Sequence, residues 1–294
     1  MITANINKQE DVDERCKACF IKTYQRLFDK FNIGIDQRQN FITLYWEILN
    51  KNKHLSSPEI QRELSIAFCN ITNIVDPFEK DKYNSNAIAL ELYLKWKPKV
   101  LSSLNSFDLA LRLAIAGNIM DYGANNSFDI NDTINTVLKA SFAINHSILL
   151  NNKIKEVQKI LYLGDNAGEI VFDKLFIETI MHSNVTYAVK NAPILNDVTL
   201  KDAFDVEIDL VADVISNGYD APSTILSKSS HEFLNVFNSA DLIISKGQGN
   251  FEGLLNLKDP RIFFLLMVKC DFIAEILKVE KGSFVVVNMG NPNS

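Results

Sequence analysis

The chain has 294 residues, of which 47% are apolar and 22% are charged, a composition typical of a globular protein with a substantial hydrophobic core. Its formal net charge of −6 argues against a nucleic-acid-binding protein, which normally carries a basic surface. No apolar run reaches the roughly 20 residues needed to cross a bilayer, and the polar N-terminus does not have the pattern of a signal peptide. We therefore expect a cytoplasmic protein with no nucleic-acid or membrane partner.

Residues before about position 155 have the apolar spacing of helices. Apolar side chains recur at i, i+3, i+4 and i+7 in six segments, 12–31, 41–49, 60–74, 87–96, 104–120 and 134–150. Ser57 followed by Pro58 is typical of a capped helix start. Gly117 costs a helix about 1 kcal/mol relative to alanine, so we expect it to mark a close approach to another part of the chain. The pattern predicts an all-helical domain over residues 1–155.

Residues 156–294 show a different period, in which short β-rich runs alternate with helical stretches. The predicted strands are 160–163, 185–189, 211–215, 242–245, 262–267 and 284–288. Such alternation indicates βαβ units, and hence a mostly parallel sheet covered by helices on both faces. The sequence therefore predicts an α/β domain that follows the helical one.

Polar residues follow four of these predicted strands, where ligands of an open parallel sheet normally bind. They are Asp165, Asn166, Gly168 and Glu169 after the first strand, Asp197 after the second, Asn217 and Asp220 after the third, and Lys246, Gly247 and Asn250 after the fourth. Each short stretch, taken alone, is also typical of a turn or a helix cap. Their occurrence at successive strand ends favours a shared site.

The residue types in this set suit a divalent cation and an anion. Asp165, Asn166 and Asp197 offer the oxygen ligands that Mg²⁺ and Mn²⁺ prefer. Gly168 would lie at a helix N-terminus, where free backbone N–H groups favour a phosphate. Lys246 would supply a compact positive charge for a phosphate oxygen, and the glycine that follows it would let the backbone approach the ligand closely.

Several motifs resemble the DUF89 family of damage-control phosphatases (ARMT1-like), in its short stand-alone microbial branch. The motifs are "GDNAGEIVFDKL", "APILNDVTLKDA", "VISNGYDAPST" and "ISKGQGNFE", preceded by "CKACFIKTYQRL", "DPFEKDKYNSNAIALELY" and "AIAGNIMDYGA". The resemblance implies a helical domain packed on a Rossmann-like α/β domain, with the active site between them. It implies a divalent metal, Mn²⁺, Mg²⁺, Co²⁺ or Ni²⁺, held by Asp165, Asn166 and Asp197, with Lys246 beside the phosphate. It also implies a small phosphorylated metabolite as substrate.

Two further features have alternative interpretations. Cys16 and Cys19 either pack within a helix or line the active cleft, and the family's short branch commonly has a proline between these cysteines where this chain has none. Asn118 and Asp121, at the end of a predicted helix, either serve helix packing or contact the substrate, and the resemblance favours the substrate.

The leading hypothesis is a metal-dependent phosphomonoester hydrolase acting on a sugar phosphate or on a damaged or overflow cofactor precursor. Glu169 and Asp220 are candidates for acid–base or water-orienting roles. One alternative is a non-catalytic protein that binds a metabolite or a metal without turnover. A carboxyl methyltransferase is a second alternative, but it would need a glycine-rich turn for adenosyl-methionine, and Gly164 and Gly168 offer little of that pattern.

Overall fold

The computed structural model of the chain describes residues 12–117, 134 and 137–290, which fall into two units divided between Pro77 and Phe78. Within these described ranges, no helix is both long enough and apolar enough to span a membrane. The predicted domain boundary near residue 155 stays a prediction. The structure groups the helices that follow Phe78 with the sheet and not with the first three helices.

The first unit contains three helices, α1 (Glu14–Lys30), α2 (Ile35–Lys51) and α3 (Ser57–Thr72). Their apolar faces meet in an aromatic core, in which the rings of Tyr24 and Phe41 are 4.5 Å apart and Phe68 lies edge-on to Phe41. A capping box closes the start of α3. Its cap is Ser56 and not Ser57, one residue earlier than the sequence pattern indicates.

The second unit is built from helices around a seven-stranded sheet. Its helices are α4 (Glu79–Leu101), α5 (Ser106–Ala116), α6 (Ser147–Glu156), α7 (Glu169–Ile180), α8 (Leu200–Asp205), α9 (His231–Ser239), α10 (Gly247–Leu254) and α11 (Asp271–Leu277). Its strands are β1 (Ile144–Asn145), β2 (Ile160–Leu163), β3 (Val185–Val189), β4 (Asp213–Ser216), β5 (Leu242–Lys246), β6 (Ile262–Met267) and β7 (Phe284–Val287). Short 3₁₀ turns lie at Ile208–Leu210, Leu226–Lys228 and Leu255–Leu257.

The strands are ordered β1-β7-β6-β5-β2-β3-β4, and every neighbouring pair is parallel except β6 with β7. The predicted fold class, a mostly parallel α/β sheet with helices on both faces, is confirmed. Because β2 to β6 run in the same direction, the loops that follow them all leave from one edge of the sheet. Several of the polar residues predicted to form the site, Asp165, Asn166 and Asp197 among them, lie in these loops.

Alternating strand residues divide the core of this unit into two layers. On β2, Tyr162 faces the layer that contains α4, α5 and α7, whereas Leu161 and Leu163 face the layer that contains α9, α10 and α11. The central strands are buried on both faces, which is why they read as continuous apolar runs in the sequence.

The prediction of a single helix over residues 134–150 is wrong for the middle of that range. Residues 140–146 are not helical, and Ile144–Asn145 forms β1, the outermost strand of the sheet, which pairs with β7. A strand of two residues has no period of its own, so the helical spacing around it dominated the pattern.

Candidate active site

Backbone pairing brings the predicted metal ligands together. The loop after β2 and the loop after β3 are joined by two hydrogen bonds, from Ala167 N to Asn196 O (3.0 Å) and from Val198 N to Asp165 O (2.9 Å). These bonds surround an isolated antiparallel bridge between Asn166 and Asp197. Asp165, Asn166 and Asp197, here called the ligand cluster, are all at least 94% buried.

The ligand cluster has the chemistry of a site for a hard cation. Burial raises the pKa of Asp165 well above its usual range, and the neighbouring carboxylates of Glu169 and Asp197 raise it further. Asn166 Nδ2 donates a hydrogen bond to Asp165 Oδ2 at 2.6 Å. Among the described residues, no group of three or more His, Cys, Asp or Glu side chains is arranged to hold a metal. The ligand cluster contains only two carboxylates, and its third oxygen donor is an amide. Oxygen donors in a buried, mutually repelling group fit a divalent cation, which would relieve that repulsion.

A second buried group, here called the lysine cluster, consists of Lys246, Glu169 and Asp173. Lys246 Nζ donates to Glu169 Oε1 (2.6 Å), to Asp173 Oδ1 (2.6 Å) and to the backbone carbonyl of Ala114 (2.8 Å) in the last turn of α5. These three contacts use all three N–H groups of the ammonium. Burial alone would lower the pKa of Lys246, but the Asp173 and Glu169 carboxylates raise it above its usual value.

Two tyrosines complete the surroundings of Asp173. Tyr162 Oη donates to Asp173 Oδ1 at 2.7 Å and Tyr187 Oη donates to Asp173 Oδ2 at 2.9 Å. The two rings stack with their centroids 5.2 Å apart. Asp173, which is fully buried, therefore accepts hydrogen bonds at both of its carboxylate oxygens.

The contacts within the lysine cluster bear on the roles predicted for Lys246 and Glu169. In the structure the Lys246 ammonium faces protein acceptors, so a contact with phosphate, which stays a prediction, would require it to exchange one of them. Glu169 is held by Lys246, and its Oε2 lies 3.4 Å from Asn166 Nδ2. Burial raises the pKa of Glu169, while the charge of Lys246 opposes this rise. Its acid–base role also stays a prediction.

Two glycines permit close approaches around the site. A Cβ at Gly247, which has φ +77°, would overlap the Asp165 carboxylate, so this glycine makes room for Asp165 itself. A Cβ at Gly117 would lie 2.9 Å from Glu169 Cα. The close approach expected of Gly117 is confirmed, and its partner is the first turn of α7.

Three predicted substrate contacts have polar groups that already bind within the protein. Asn250 donates to the carbonyls of Gly164 (3.0 Å) and Lys246 (2.9 Å). Its Oδ1 accepts from Lys190 Nζ and Thr224 Oγ1, both at 2.9 Å. Asn217 Oδ1 accepts from Tyr219 N at 2.9 Å within its own turn. Gly168 N donates to Asn86 Oδ1 at 2.6 Å. In the structure these groups hold the loops in place, and their contact with a substrate stays a prediction.

The predicted roles of the remaining residues, Asp220, Asn118, Asp121, Cys16 and Cys19, stay predictions. Asp220 is half-buried in the loop after β4. Asn118 and Asp121 lie outside the described residues. Cys16, which is half-buried, and Cys19, which is exposed, lie on α1 in the first unit. Their place in a cleft stays a prediction.

Sequence reasoning missed four residues around the site, Asn86, Asp173, Lys190 and Lys269. Lys190 directly follows β3, and its Nζ lies 3.6 Å from Asp197 Oδ2. Lys269 follows β6, and its positive charge lowers the pKa of Asp165 and Glu169. The strand-end rule includes Lys190, to which the sequence analysis gives no role, and it extends to Lys269. Asp173 is one helical turn beyond Glu169, a spacing that puts both on the same face of α7.

The fold and the ligand cluster define an α/β protein with a buried acidic site at the C-terminal edge of its sheet. The profile of the damage-control phosphatase ARMT1-like domain matches residues 12–285, and the chain belongs to this family, DUF89. It is 35% identical over 284 residues to a protein of Pyrococcus horikoshii named a damage-control phosphatase, covering 93% of this chain and 96% of that protein.

One other relative, and a crystal structure of the same Pyrococcus horikoshii protein, agree with this assignment. An Archaeoglobus fulgidus protein named a damage-control phosphatase is 32% identical over 220 residues, which are 73% of this chain and 76% of that protein. The crystal structure of a DUF89 family protein from Pyrococcus horikoshii superimposes with a TM-score of 0.87 at 34% identity, covering 94% of this chain and 98% of that one.

Proposed function

We propose that the protein is a metal-dependent phosphatase that hydrolyses a small phosphorylated metabolite. The observation that carries the proposal is the bridge between Asn166 and Asp197 beside Asp165, which gathers three oxygen donors at one edge of the sheet. Two relatives that are named damage-control phosphatases support the reaction class.

In this proposal Asp165, Asn166 and Asp197 hold a divalent cation, Mn²⁺, Mg²⁺, Co²⁺ or Ni²⁺. The bound cation would stabilise negative charge on the phosphoryl group and its attacking or leaving oxygen. The protein's own part is to fix the three donors through the joined loops and to hold Asp165 beside Gly247. Lys190 donates to Asn250 and lies near Asp197, so it contributes positive charge on one side of the cluster.

Lys269 is a further side chain that we propose, besides Lys246, for the phosphate oxygens. It follows β6, is half-buried, and its charge reaches both Asp165 and Glu169. Lys246, the residue predicted for this role, is fully buried and donates to three protein acceptors. A lysine ammonium close to the ligand cluster would offset the charge of a bound phosphate.

The substrate class that we propose is a sugar phosphate or a damaged or overflow form of a cofactor precursor. A direct test is to measure phosphate release from a panel of such compounds with Mg²⁺, Mn²⁺, Co²⁺ or Ni²⁺, and with EDTA. We expect metal-dependent release and a loss of about 100-fold or more in Asp165→Asn. The exposed Asp209→Asn provides a matched control that should retain full activity.

Three outcomes would contradict the proposal. Equal phosphate release in EDTA would exclude a metal requirement. Full activity in Asp165→Asn would exclude the ligand cluster as the metal site. Tight binding of a phosphosugar without phosphate release under any metal would favour a non-catalytic binding protein.

A further inference from the structure

We infer that helix α4 positions both metal-binding loops, because Asn86 and Lys82 each hold one of them. This inference rests on the proposed metal site. Both residues belong to the sheet-containing unit, and both are at least 94% buried. They are positioning residues, since each acts on the ligand cluster through another group.

Asn86 holds the loop that follows β2. Its Oδ1 accepts the backbone N–H of Gly168 at 2.6 Å. Gly168 caps α7 with φ +78° and ψ −48°, and it lies two residues after Asn166. Asparagine is unfavourable inside a helix, so a buried asparagine in the middle of α4 needs a compensating interaction. The hydrogen bond to Gly168 supplies it and fixes the turn that carries Asp165 and Asn166.

Lys82 holds the loop that follows β3. Its Nζ lies 3.1 Å from Asp202 Oδ2, and both side chains are buried. The same oxygen accepts from Thr199 N (2.9 Å) and Thr199 Oγ1 (2.7 Å), which closes the start of α8. Thr199 is two residues after Asp197, so the ion pair fixes the end of the segment that carries this ligand.

The spacing on α4 makes the two contacts act together. Asn86 is four residues after Lys82, so they share one face of the helix and are about 6 Å apart along its axis. A rigid helix therefore holds the two loops at a constant separation. Groups that orient metal ligands in this way typically change metal affinity by about 10- to 100-fold when they are removed.

Apolar packing anchors α4 independently of these polar contacts. Ala89, Leu92, Trp96 and Val100 are buried in the core layer that also contains α5 and α7. Lys97, further along the helix, pairs with Glu178 on α7. Removal of Asn86 or Lys82 should therefore disturb the loops while the helix stays in place.

The experiment compares Mn²⁺ affinity, measured from free Mn²⁺ by electron paramagnetic resonance, in full-length variants. Asn86→Ala and Lys82→Met should each weaken Mn²⁺ binding by about 10-fold or more. Asn86→Asp keeps an acceptor and Lys82→Arg keeps a cation, so these two variants should retain most of the wild-type Mn²⁺ affinity. In the double variant Asn86→Ala with Lys82→Met, the loss should be smaller than the product of the single losses, because both contacts serve one element.

Two control variants separate positioning from stability. Lys97→Met removes an ion pair from the same helix, and Asn105→Ala removes an asparagine that caps α5 through Asp108 N. Both should leave Mn²⁺ affinity within about twofold, whatever they do to the melting temperature.

The outcomes also separate this inference from the proposed function. Lower melting temperatures with unchanged Mn²⁺ affinity in Asn86→Ala and Lys82→Met would overturn the positioning role alone. If the wild type binds Mn²⁺ but releases no phosphate from any tested compound, the proposed function fails and the positioning role stands. No Mn²⁺ binding by the wild type would overturn both.

Discussion

The ligand cluster and the lysine cluster are neighbours at the same edge of the sheet, and both bury two carboxylates, yet their charges are balanced differently. In the lysine cluster, Lys246 bridges Glu169 and Asp173, and two tyrosine hydroxyls donate to Asp173. In the ligand cluster, burial raises the pKa of Asp165, and the nearby carboxylates of Glu169 and Asp197 raise it further. The protein's own donors satisfy the lysine cluster, whereas the ligand cluster has the charge distribution of a cation site.

This difference predicts how each cluster affects the stability of the fold. A buried ion pair with complete hydrogen bonding is costly to break, because removal of one partner leaves an uncompensated charge. A buried group of repelling carboxylates weakens the fold until something neutralises it, and such strain is typical of functional sites. Substitutions in the two clusters should therefore have opposite effects on stability when metal is absent.

The largest effect is expected for Lys246→Met. It would leave Glu169 and Asp173 buried without their ammonium partner, so the free energy of unfolding should fall by about 3–5 kcal/mol. Urea unfolding in EDTA measures this change. Lys97→Met, which breaks a partly exposed pair, should cost less than about 1 kcal/mol. Equal losses in the two variants would show that the lysine cluster has no special structural role.

Tyr187→Phe tests the lysine cluster more finely. It removes one hydroxyl donor to the buried Asp173 carboxylate. Because a hydrogen bond to a charged group contributes about 1.5–3 kcal/mol, the free energy of unfolding should fall by about that amount. The same urea measurement applies, with the exposed Tyr83→Phe as the control. If both variants are as stable as the wild type, the tyrosine hydroxyl does not support Asp173.

Asp165→Asn should have the opposite sign in EDTA. It removes one of the repelling carboxylates, so the free energy of unfolding should rise by about 1 kcal/mol. Because the pKa of Asp165 is raised in the folded protein, its charge lowers stability as the pH rises above its ordinary value of 3.8. The advantage of the variant should therefore grow from about pH 4 upwards. A destabilised variant at neutral pH would contradict the repulsion that we describe.

The smallest effect is expected for an ion pair outside both clusters, Asp259 with Arg261. Burial would raise the pKa of Asp259, but hydrogen bonds from Arg261 outweigh this and lower it. The stabilisation is therefore present above the ordinary pKa of 3.8 and is lost as the pH falls through the lowered value. Asp259→Asn should lose less than about 1 kcal/mol at pH 7, since the pair is partly exposed. No difference from the wild type at pH 7 would show that the pair contributes nothing.

Local patterns were enough to predict the strands and the residues that follow them. The predicted bounds of β2, β3 and β6 agree with the structure, because each strand is a mostly apolar and mostly buried run. The same patterns predicted that Asp165, Asn166 and Asp197 would lie at one edge of the sheet. They were less successful for β1, where two residues carry no periodicity.

The partners of the buried charges could not be predicted in this way. Lys246 and the Ala114 carbonyl are 132 positions apart in the chain, and Gly168 and Asn86 are 82 positions apart. Nothing in the local sequence around Lys246 distinguishes an ammonium that binds phosphate from one that neutralises two carboxylates. That distinction depends on which helices pack over the strand end.

The sequence by itself therefore determined the class of fold, the edge of the sheet where the candidate site lies and the oxygen-bearing side chains at that edge. Alternating burial and the shared direction of parallel strands are properties of short segments, so they can be predicted without knowledge of any long-range contact. Only the tertiary structure decided which carboxylates are neutralised by the protein and which repel one another. The charge state of a buried group depends on its neighbours in space, and helices from distant parts of the chain supply those neighbours.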